Sequence, residues 1–338
     1  MRNLARYIVT RTLMTIPMVF ILLTIIFAVL RLMPGDPVSA MLGGHAPEKV
    51  IEQKREELGL NHPMYVQYAN YLWQVCHLDL GDSMVFKQSV TSAIAEKLPA
   101  TIELTFFGMF ITLILGIFLG AYAADKRRQV QDSAIRLYGI VIYCIPVYWL
   151  GLMLQLIFGI WLDILPIAGR TGPRVFASAF EMTGFYILDT LLIGDYESLL
   201  DVLIHLVLPS FTLGLTLSGI FVRLTRANML DVLKADYILA AEARGIKHAR
   251  IVYKHALKNA FIPILTMMGL QIALLMSGAI LTETTFSWPG MGRLLLERIY
   301  LRDYPTIQGV IIVFALMVAF ISLLVDIIYA IIDPRIRY

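Results

Sequence analysis

The amino-acid sequence predicts an all-α polytopic membrane protein with six transmembrane helices, an extended outer region and a polar helical segment on the cytoplasmic side. Three observations carry this. Of 338 residues, 58% are hydrophobic and only 16% charged, well short of the about 25% charged residues of soluble domains. The apolar residues gather in runs of the roughly 20 needed to cross hydrocarbon as a helix, not in the alternating ten-residue segments of a barrel. The charges are sorted by sign between alternate connecting segments.

The first run, Ile8–Leu32, ends at Pro34-Gly35-Asp36-Pro37, where two prolines and a glycine cannot continue a helix. Val38-Ser39-Ala40 resembles a cleavage site. The run is longer than a signal core, however, and Pro37 lies close, so the segment is read as a transmembrane helix that also serves as a signal anchor. Residues 1–33 thus form an N-terminal helix, 34–99 an extracytoplasmic region, and 100–338 a five-helix membrane domain. In the outer region, Glu48–Gly59 reads as a surface helix. Tyr65–Leu78 is aromatic and apolar enough to pack on the membrane domain or to meet a partner. The remaining spans are Thr101–Ala124, Ile135–Trp161 (kinked at Pro146), Val202–Val222, Phe261–Thr285 (with Pro263 near its start) and Ile307–Ile332. Val175–Ile193 carries Glu181 and Asp189 and is read as an amphipathic or re-entrant outer segment.

Charge orients the chain. With both termini inside, the inner segments hold Arg2, Arg6, Arg11, Lys126, Arg127, Arg128, Arg223, Arg226, Lys234, Arg244, Lys247, Arg250, Lys254, Lys258, Arg335 and Arg337. The outer segments are acidic, with Glu48, Glu52, Glu56, Asp79, Asp82, Asp163, Asp195 and Glu197 among others. This is the positive-inside distribution. Counting Val175–Ile193 as a span would put the basic segment 223–260 outside. Asp326, near the inner end of the last span, is expected to pair with Arg335 or Arg337. A net charge of +3 is too small to imply a nucleic-acid partner.

Motifs for chemistry are absent. There is no phosphate loop, dinucleotide fingerprint, zinc-protease helix or nucleophile elbow, and no paired catalytic groups. The six histidines lack ligand spacing, so no metal is expected; His248 and His255 read as surface histidines near lipid headgroups. Cys76 and Cys144 lie at different depths, which argues against a bridge. If the chain moves solute uphill, another subunit must hydrolyse the nucleotide.

The inner segment 224–260 is the most informative. Leu230, Leu233, Tyr237 and Ala241 fall on one helical stripe. Ala240, Ala241 and Gly245 form a small-residue surface that lets another backbone come close. Gly245 suits a helix C-cap, where a left-handed conformation is needed. A second helical stretch, Lys247–Asn259, leads into the fifth span. From the stripe alone, an amphipathic helix resting on the inner leaflet serves as well as a docking surface.

Asp236-Tyr237, Ala240-Ala241, Gly245, His255-Ala256-Leu257 and Asn259 together resemble the cytoplasmic "EAA" loop of ABC importer permeases. Leu239 stands where that motif's general form has glutamate, and Lys258 where it has proline, as is common in the peptide/nickel branch. Thr282-Glu283-Thr284-Thr285-Phe286-Ser287-Trp288-Pro289-Gly290-Met291-Gly292-Arg293 resembles the same branch. So do Arg302-Asp303-Tyr304-Pro305, Asp333-Pro334-Arg335, Pro34-Gly35-Asp36-Pro37 and Leu58-Gly59-Leu60. The stretch from Gly184-Phe185 to Leu208-Pro209 resembles dipeptide permeases in particular.

The resemblance, which runs from end to end, implies a multi-pass permease subunit of the prokaryotic plasma (inner) membrane. It implies a second homologous permease, two ATP-binding subunits and an extracytoplasmic peptide-binding protein as partners. The chain itself would bind no cofactor, ATP and Mg residing on the ATPase subunits. Asp236, Tyr237, Ala240, Ala241 and Gly245 would form the cytoplasmic coupling helix, inserted into a cleft of one ATPase, so that ATP-driven closure switches the pore between two packings. Candidates for the substrate path are polar or aromatic groups within the spans: Tyr143, Tyr148, Trp149, Gln155, Gln271, Ser277 and Glu283. Glu283 could meet a peptide amino group or cap the Ser287–Gly290 turn. Dipeptides or oligopeptides are the expected cargo, with nickel, glutathione or oligosaccharides as alternatives; a secondary transporter or channel is the rival of another class.

Overall fold

The computed structural model describes residues 2–32, 38, 47–57, 59–83, 85–173, 175 and 182–332. The predicted motifs Pro34–Pro37 and Asp333–Arg335, with Arg337 and Glu181, lie outside these residues. The described chain is helical, with a single isolated bridge between Asp82 and Ser89. The helices are α1 (Arg2–Leu32), α2 (Glu48–Glu57), α3 (Met64–Cys76), α4 (Val90–Asp125), α5 (Val130–Cys144), α6 (Val147–Leu154), α7 (Tyr186–Ile193), α8 (Tyr196–Val232), α9 (Asp236–Ala243), α10 (His248–Arg250), α11 (Leu257–Gly278), α12 (Ile280–Thr285), α13 (Met291–Tyr300) and α14 (Tyr304–Ile332).

Four of these are long and apolar enough to cross a membrane: α1, α4, α8 and α14. The helices α4 and α8 run for 36 and 37 residues, about 54 Å each at about 1.5 Å per residue. Against the predicted spans Thr101–Ala124 and Val202–Val222, α4 starts 11 residues earlier and ends one residue later, and α8 extends 6 residues before and 10 beyond. The third predicted span is two arms, α5 and α6 with its π-helical continuation Gln155–Trp161, bent by 103°. The bend sits at Pro146: Ile145 before it is extended (ψ 125°), because proline excludes the helical conformation from the preceding residue. The fifth predicted span, Phe261–Thr285, falls on α11 followed by the short α12, where the apolar stretch among the described residues is the shorter Pro263–Ile272. The predicted stretch Lys247–Asn259 is α10, π-helical turns over Ile251–Ala256 and the first turn of α11.

The centre of the molecule is the α4–α8 pair. Glycines on one helix seat side chains of the other: Gly108 lies against Leu213, Gly116 against Phe221, Gly120 against Thr225, and Gly214 against Ile111. Thr112 Oγ1 donates to Gly214 O at 3.2 Å. Without a hydrophobic drive between helices in lipid, such close backbone approach supplies the van der Waals contact that holds spans together. The numbers on both helices rise together, so α4 and α8 run parallel. The two arms between them, α5 and α6, supply one return crossing; a further span at Val175–Ile193 would have made α4 and α8 antiparallel. That segment contributes the eight-residue α7, with residues 176–181 outside the described set.

The other pairs fix the remaining directions. Arg11 Nε lies 3.6 Å from Asp326, and Leu23, Ile26 and Phe27 pack with Ile312, so α1 and α14 are antiparallel. Asp326 thus pairs with Arg11; the expected partners Arg335 and Arg337 lie outside the described residues. Gly269 seats Val325, while Ile272 packs in a cluster with Phe314, Val313 and Met317, so α11 is antiparallel to α14. Two poles result. One gathers the start of α1, the α4–α5 turn, α9–α10 and the end of α14. The other gathers the start of α4, α7, α12 and α13.

Candidate functional site

At the first pole, the inner segment folds differently from its predicted stripe. Helix α8 ends at Val232, the chain turns through Leu233–Ala235, and α9 begins after an extended Ala235 (φ −72°, ψ 147°). Leu230 and Leu233 therefore do not share a helix with Tyr237 and Ala241. Within α9, Ile238 and Ala241 are buried in a cluster with Ala121, Ala124, Met229, Ile251, Val252 and Ala256. Asp236, Tyr237, Leu239, Ala240 and Glu242 are exposed. The small-residue surface is thus divided: Ala241 faces the protein's own core, whereas Ala240 and Gly245 face outward. Gly245 has φ +71°, with open space around it, and its N–H donates to Glu242 O at 2.9 Å. It occupies the left-handed C-cap read from the sequence.

The cradle of α9 is tied to the spans by polar contacts. Asn259 Nδ2 on α11 donates to the Tyr237 hydroxyl at 2.8 Å. Asp125 at the end of α4 sits 2.6 Å from His248 Nε2 and 3.1 Å from Lys126 Nζ. The hydrogen bond to Asp125, and its charge, raise the Lys126 ammonium above its ordinary value. Arg226 on α8 makes a two-toothed bond to Asp132 at the start of α5, Nε to Oδ1 at 2.6 Å and Nη2 to Oδ2 at 2.8 Å. Paired geometry of this kind is the strong form of a charge-assisted bond. α9 is thus tied directly to α11 through Tyr237, α10 to the end of α4 through His248, and α8 to the start of α5 through Arg226.

The other pole is built around two buried acids. Glu283 on α12 is fully buried. Its Oε1 accepts from Thr101 Oγ1 at 2.7 Å, and its Oε2 from the Arg293 N–H at 2.9 Å. The Met291 N–H donates to Thr101 Oγ1 at 2.8 Å. Glu283 and Thr101 together cap the N-terminus of α13, where backbone N–H groups lack helical partners. A Cβ on Gly290 would fall on the Glu283 carboxylate, and one on Gly292 on the backbone of Ile280. The motif Thr282–Arg293 is therefore a loop wrapped around Glu283, with Trp288 buried and its indole N–H donating to Ala100 O at 2.9 Å. Of the two roles expected for Glu283, its geometry is that of the cap. Glu283→Ala should leave the Arg293 N–H and the Thr101 hydroxyl without their acceptor, at about 1–3 kcal/mol for each buried group; a lowered thermal midpoint of the detergent-solubilised protein checks this.

The second acid, Glu103, was not singled out in the sequence. Arg170 Nη2 donates to its Oε2 at 2.6 Å and to Gly184 O at 2.9 Å; Oε1 accepts from the Ile187 N–H at 3.1 Å. The guanidinium also lies 3.5 Å from the Tyr186 ring centroid, a cation–π distance. The only signal in the sequence is an acid near the start of an apolar span.

The remaining path candidates are scattered. Tyr143, Tyr148 and Trp149 flank the Pro146 bend and are each about half exposed, with Arg223 5.0 Å from the Tyr143 ring. Gln155 is committed to the fold, donating to Ile167 O and Thr285 O at 2.6 and 3.0 Å. Gln271 is buried on α11, and the side chain of Ser277 lies outside the described set. The structure does not bring these residues to one place. Among the described residues, no group of histidine, cysteine and acidic side chains could hold a metal ion.

A parallel, glycine-seated helix pair with a short exposed helix cradled at one pole, and a capped acid at the other, is the framework of an all-helical, polytopic membrane protein. Residues 116–338 match the family described as "binding-protein-dependent transport system inner membrane component", and residues 4–105 its N-terminal membrane-component companion. The chain is 41% identical over 332 residues to the dipeptide transport system permease protein DppB of Alkalihalophilus pseudofirmus, covering 98% of this chain and 99% of the relative. It is 38% identical to the protein of the same name in Escherichia coli K12, with coverage of 98% and 99%. It is 36% identical to the glutathione transport system permease protein GsiC of Pectobacterium atrosepticum, again over 98% and 99%. This chain belongs to the binding-protein-dependent transport system inner membrane component family, the permease subunits of ABC importers.

Proposed function

We propose that this permease imports dipeptides or short oligopeptides across the plasma membrane, forming half of the translocation path with a second, related permease. The observation that carries the cargo is end-to-end similarity to proteins named as dipeptide permeases, at higher identity than to those named for glutathione. Glutathione is the second reading. An extracytoplasmic binding protein delivers the peptide, and two ATP-binding subunits, which hold ATP and Mg, supply the work. Both termini and α9 lie on the cytoplasmic side, as the basic residues around α9 favour.

In this reading Asp236, Tyr237, Ala240 and Gly245 meet an ATPase subunit, and Ala241 anchors the helix to its own permease. Two acids, Asp236 and Glu242, stand on the exposed face of α9; they would be repelled by an anionic leaflet, which favours a protein cleft over the lipid surface. Closure of the ATPase pair moves α9, and through Asn259, Asp125 and Arg226 the spans that carry it. Tyr143, Tyr148 and Trp149 at the Pro146 bend are the path-lining candidates that remain free to face solute. The test is purification of the tagged permease from its native membrane, with ATPase activity read in the presence of binding protein and candidate peptides. ATPase subunits should co-elute, with turnover rising when dipeptide-loaded binding protein is added. Transport in liposomes by the chain alone, without ATP, would remove this reading.

A further inference from the structure

Helix α3 is the element that the transport reading leaves without a role. Its 13 residues contain no acidic or basic side chain, next to α2, which carries Glu48, Lys49, Glu52, Arg55 and Glu56 among its ten. At about 100° per residue, its surface divides into three arcs. Tyr68, Tyr71 and Val75 pack on α1 and α14. Gln67, Asn70, Gln74 and His77 form a polar arc. Between the packed arc and the polar arc, on one side only, lie Tyr65, Ala69, Trp73 and Cys76, all exposed, with Tyr65 and Trp73 at 75% and 69%.

Two helices measure how deep α3 lies. On α1, residues 12–30 are free of charge between Arg11 and Arg31. They span about 28 Å of helix, close to the thickness of the hydrocarbon core, about 30 Å. Tyr68 bonds Thr24 through their hydroxyls at 2.6 Å and packs edge-on to Phe20 and Phe27 at 6.2 and 5.2 Å. Thr24 lies about 10 Å below Arg31 along the helix. On α14, Tyr71 and Val75 cluster with Ile312, about 12 Å below the start of that helix at Tyr304. Both rulers put the packed arc of α3 inside the apolar slab, on the leaflet opposite α9. Phe20, which Tyr68 touches, is itself half exposed within the uncharged stretch of α1, so bare apolar surface of α1 lies beside the packed arc.

We propose that α3 is an interfacial helix half-sunk in the leaflet opposite α9, with Tyr65, Ala69, Trp73 and Cys76 in contact with lipid and the polar arc toward water. Tyrosine and tryptophan favour this depth because each offers an apolar ring and a polar edge, and a helix with one apolar and one polar face lies in the interface plane. A helix so placed braces α1 against α14 and fixes where the outer region meets the bilayer. The occupant is lipid, not a protein partner.

The test is nitroxide labelling in proteoliposomes holding the full transporter, in a Cys144→Ser background. Labels go at the native Cys76 and, in separate chains with Cys76→Ser, at A69C, N70C and Q74C. Collision rates with oxygen, which concentrates in lipid, are compared with those of a water-soluble nickel chelate. Positions 69 and 76 should favour oxygen, and positions 70 and 74 should reverse the ratio, with and without binding protein. Equal access of the chelate to all four positions would overturn the proposal. So would shielding of 69 and 76 that occurs only when binding protein is added, which would assign the arc to that protein. Because all four labels lie on exposed positions and the ratio is read within one helix, loss of the fold would show as uniform mobility rather than as the expected alternation.

Discussion

Arg170→Ala is expected to destabilise the folded permease by about 3–5 kcal/mol, the cost of leaving one member of a buried ion pair behind. Glu103 would keep only the Ile187 N–H, while Gly184 O would lose its donor and the Tyr186 ring its cation. Heat-induced loss of monodisperse protein in detergent measures this. The double variant Arg170→Met with Glu103→Gln should recover most of the loss, because the amide oxygen still accepts from Ile187 and no charge is stranded. Equal melting of wild type and Arg170→Ala would mean that the pair adds nothing to the fold. The position matters because Arg170 is the point where the connection after α6 is fastened to α4 and α7.

The second large effect concerns α9. Ala240→Trp should leave the permease folded yet abolish coupled uptake. An oversized side chain in a close-packed contact costs about 1–3 kcal/mol, an about 5- to 150-fold loss of affinity for the ATPase subunit. Ala241→Trp, one residue on, should do something else: it crowds the cluster of Ala121, Ala124, Met229 and Val252 and should lower the amount of folded chain. Gly245→Trp mixes two causes, since φ +71° strains any residue with a Cβ whether or not a partner docks. Parallel measurement of membrane abundance, ATPase co-purification and peptide uptake separates the three. Normal uptake by Ala240→Trp would place the ATPase contact elsewhere.

Four of the six spans, and the bent third, were legible because hydropathy over about 20 residues is a property of each segment alone. The bend at Pro146 and the cap at Gly245 were legible for a similar reason: each follows from the backbone of one residue. The stripe Leu230–Ala241 failed because periodicity cannot register a three-residue turn; Leu233–Ala235 contain no proline or glycine to announce it. Pairings were the least legible. Asp326 meets Arg11 across the whole chain because α1 and α14 are antiparallel neighbours, and nothing local to either residue encodes that. Glu103 and Arg170 are likewise joined only by the packing of the outer connection on α4. Glu283 stood between cap and cargo contact because sequence gives a carboxylate near a turn, whereas the choice depends on Thr101, 182 positions earlier.

The glycine seats between α4 and α8 have a mechanical consequence. Sliding one helix along the other would require lifting Leu213, Phe221 and Thr225 out of their seats together; the prolines inside the two helices, Pro99 and Pro209, both come before this seam. Over that seam, about 18 Å from Gly108 to Gly120, the pair is held as one unit. In the importing reading proposed above, the two packings would differ by tilting of this unit against what surrounds it, with the 103° elbow at Pro146 and the π-helical turns that lead from α10 into α11 as the breaks in regular helix that would take up the change.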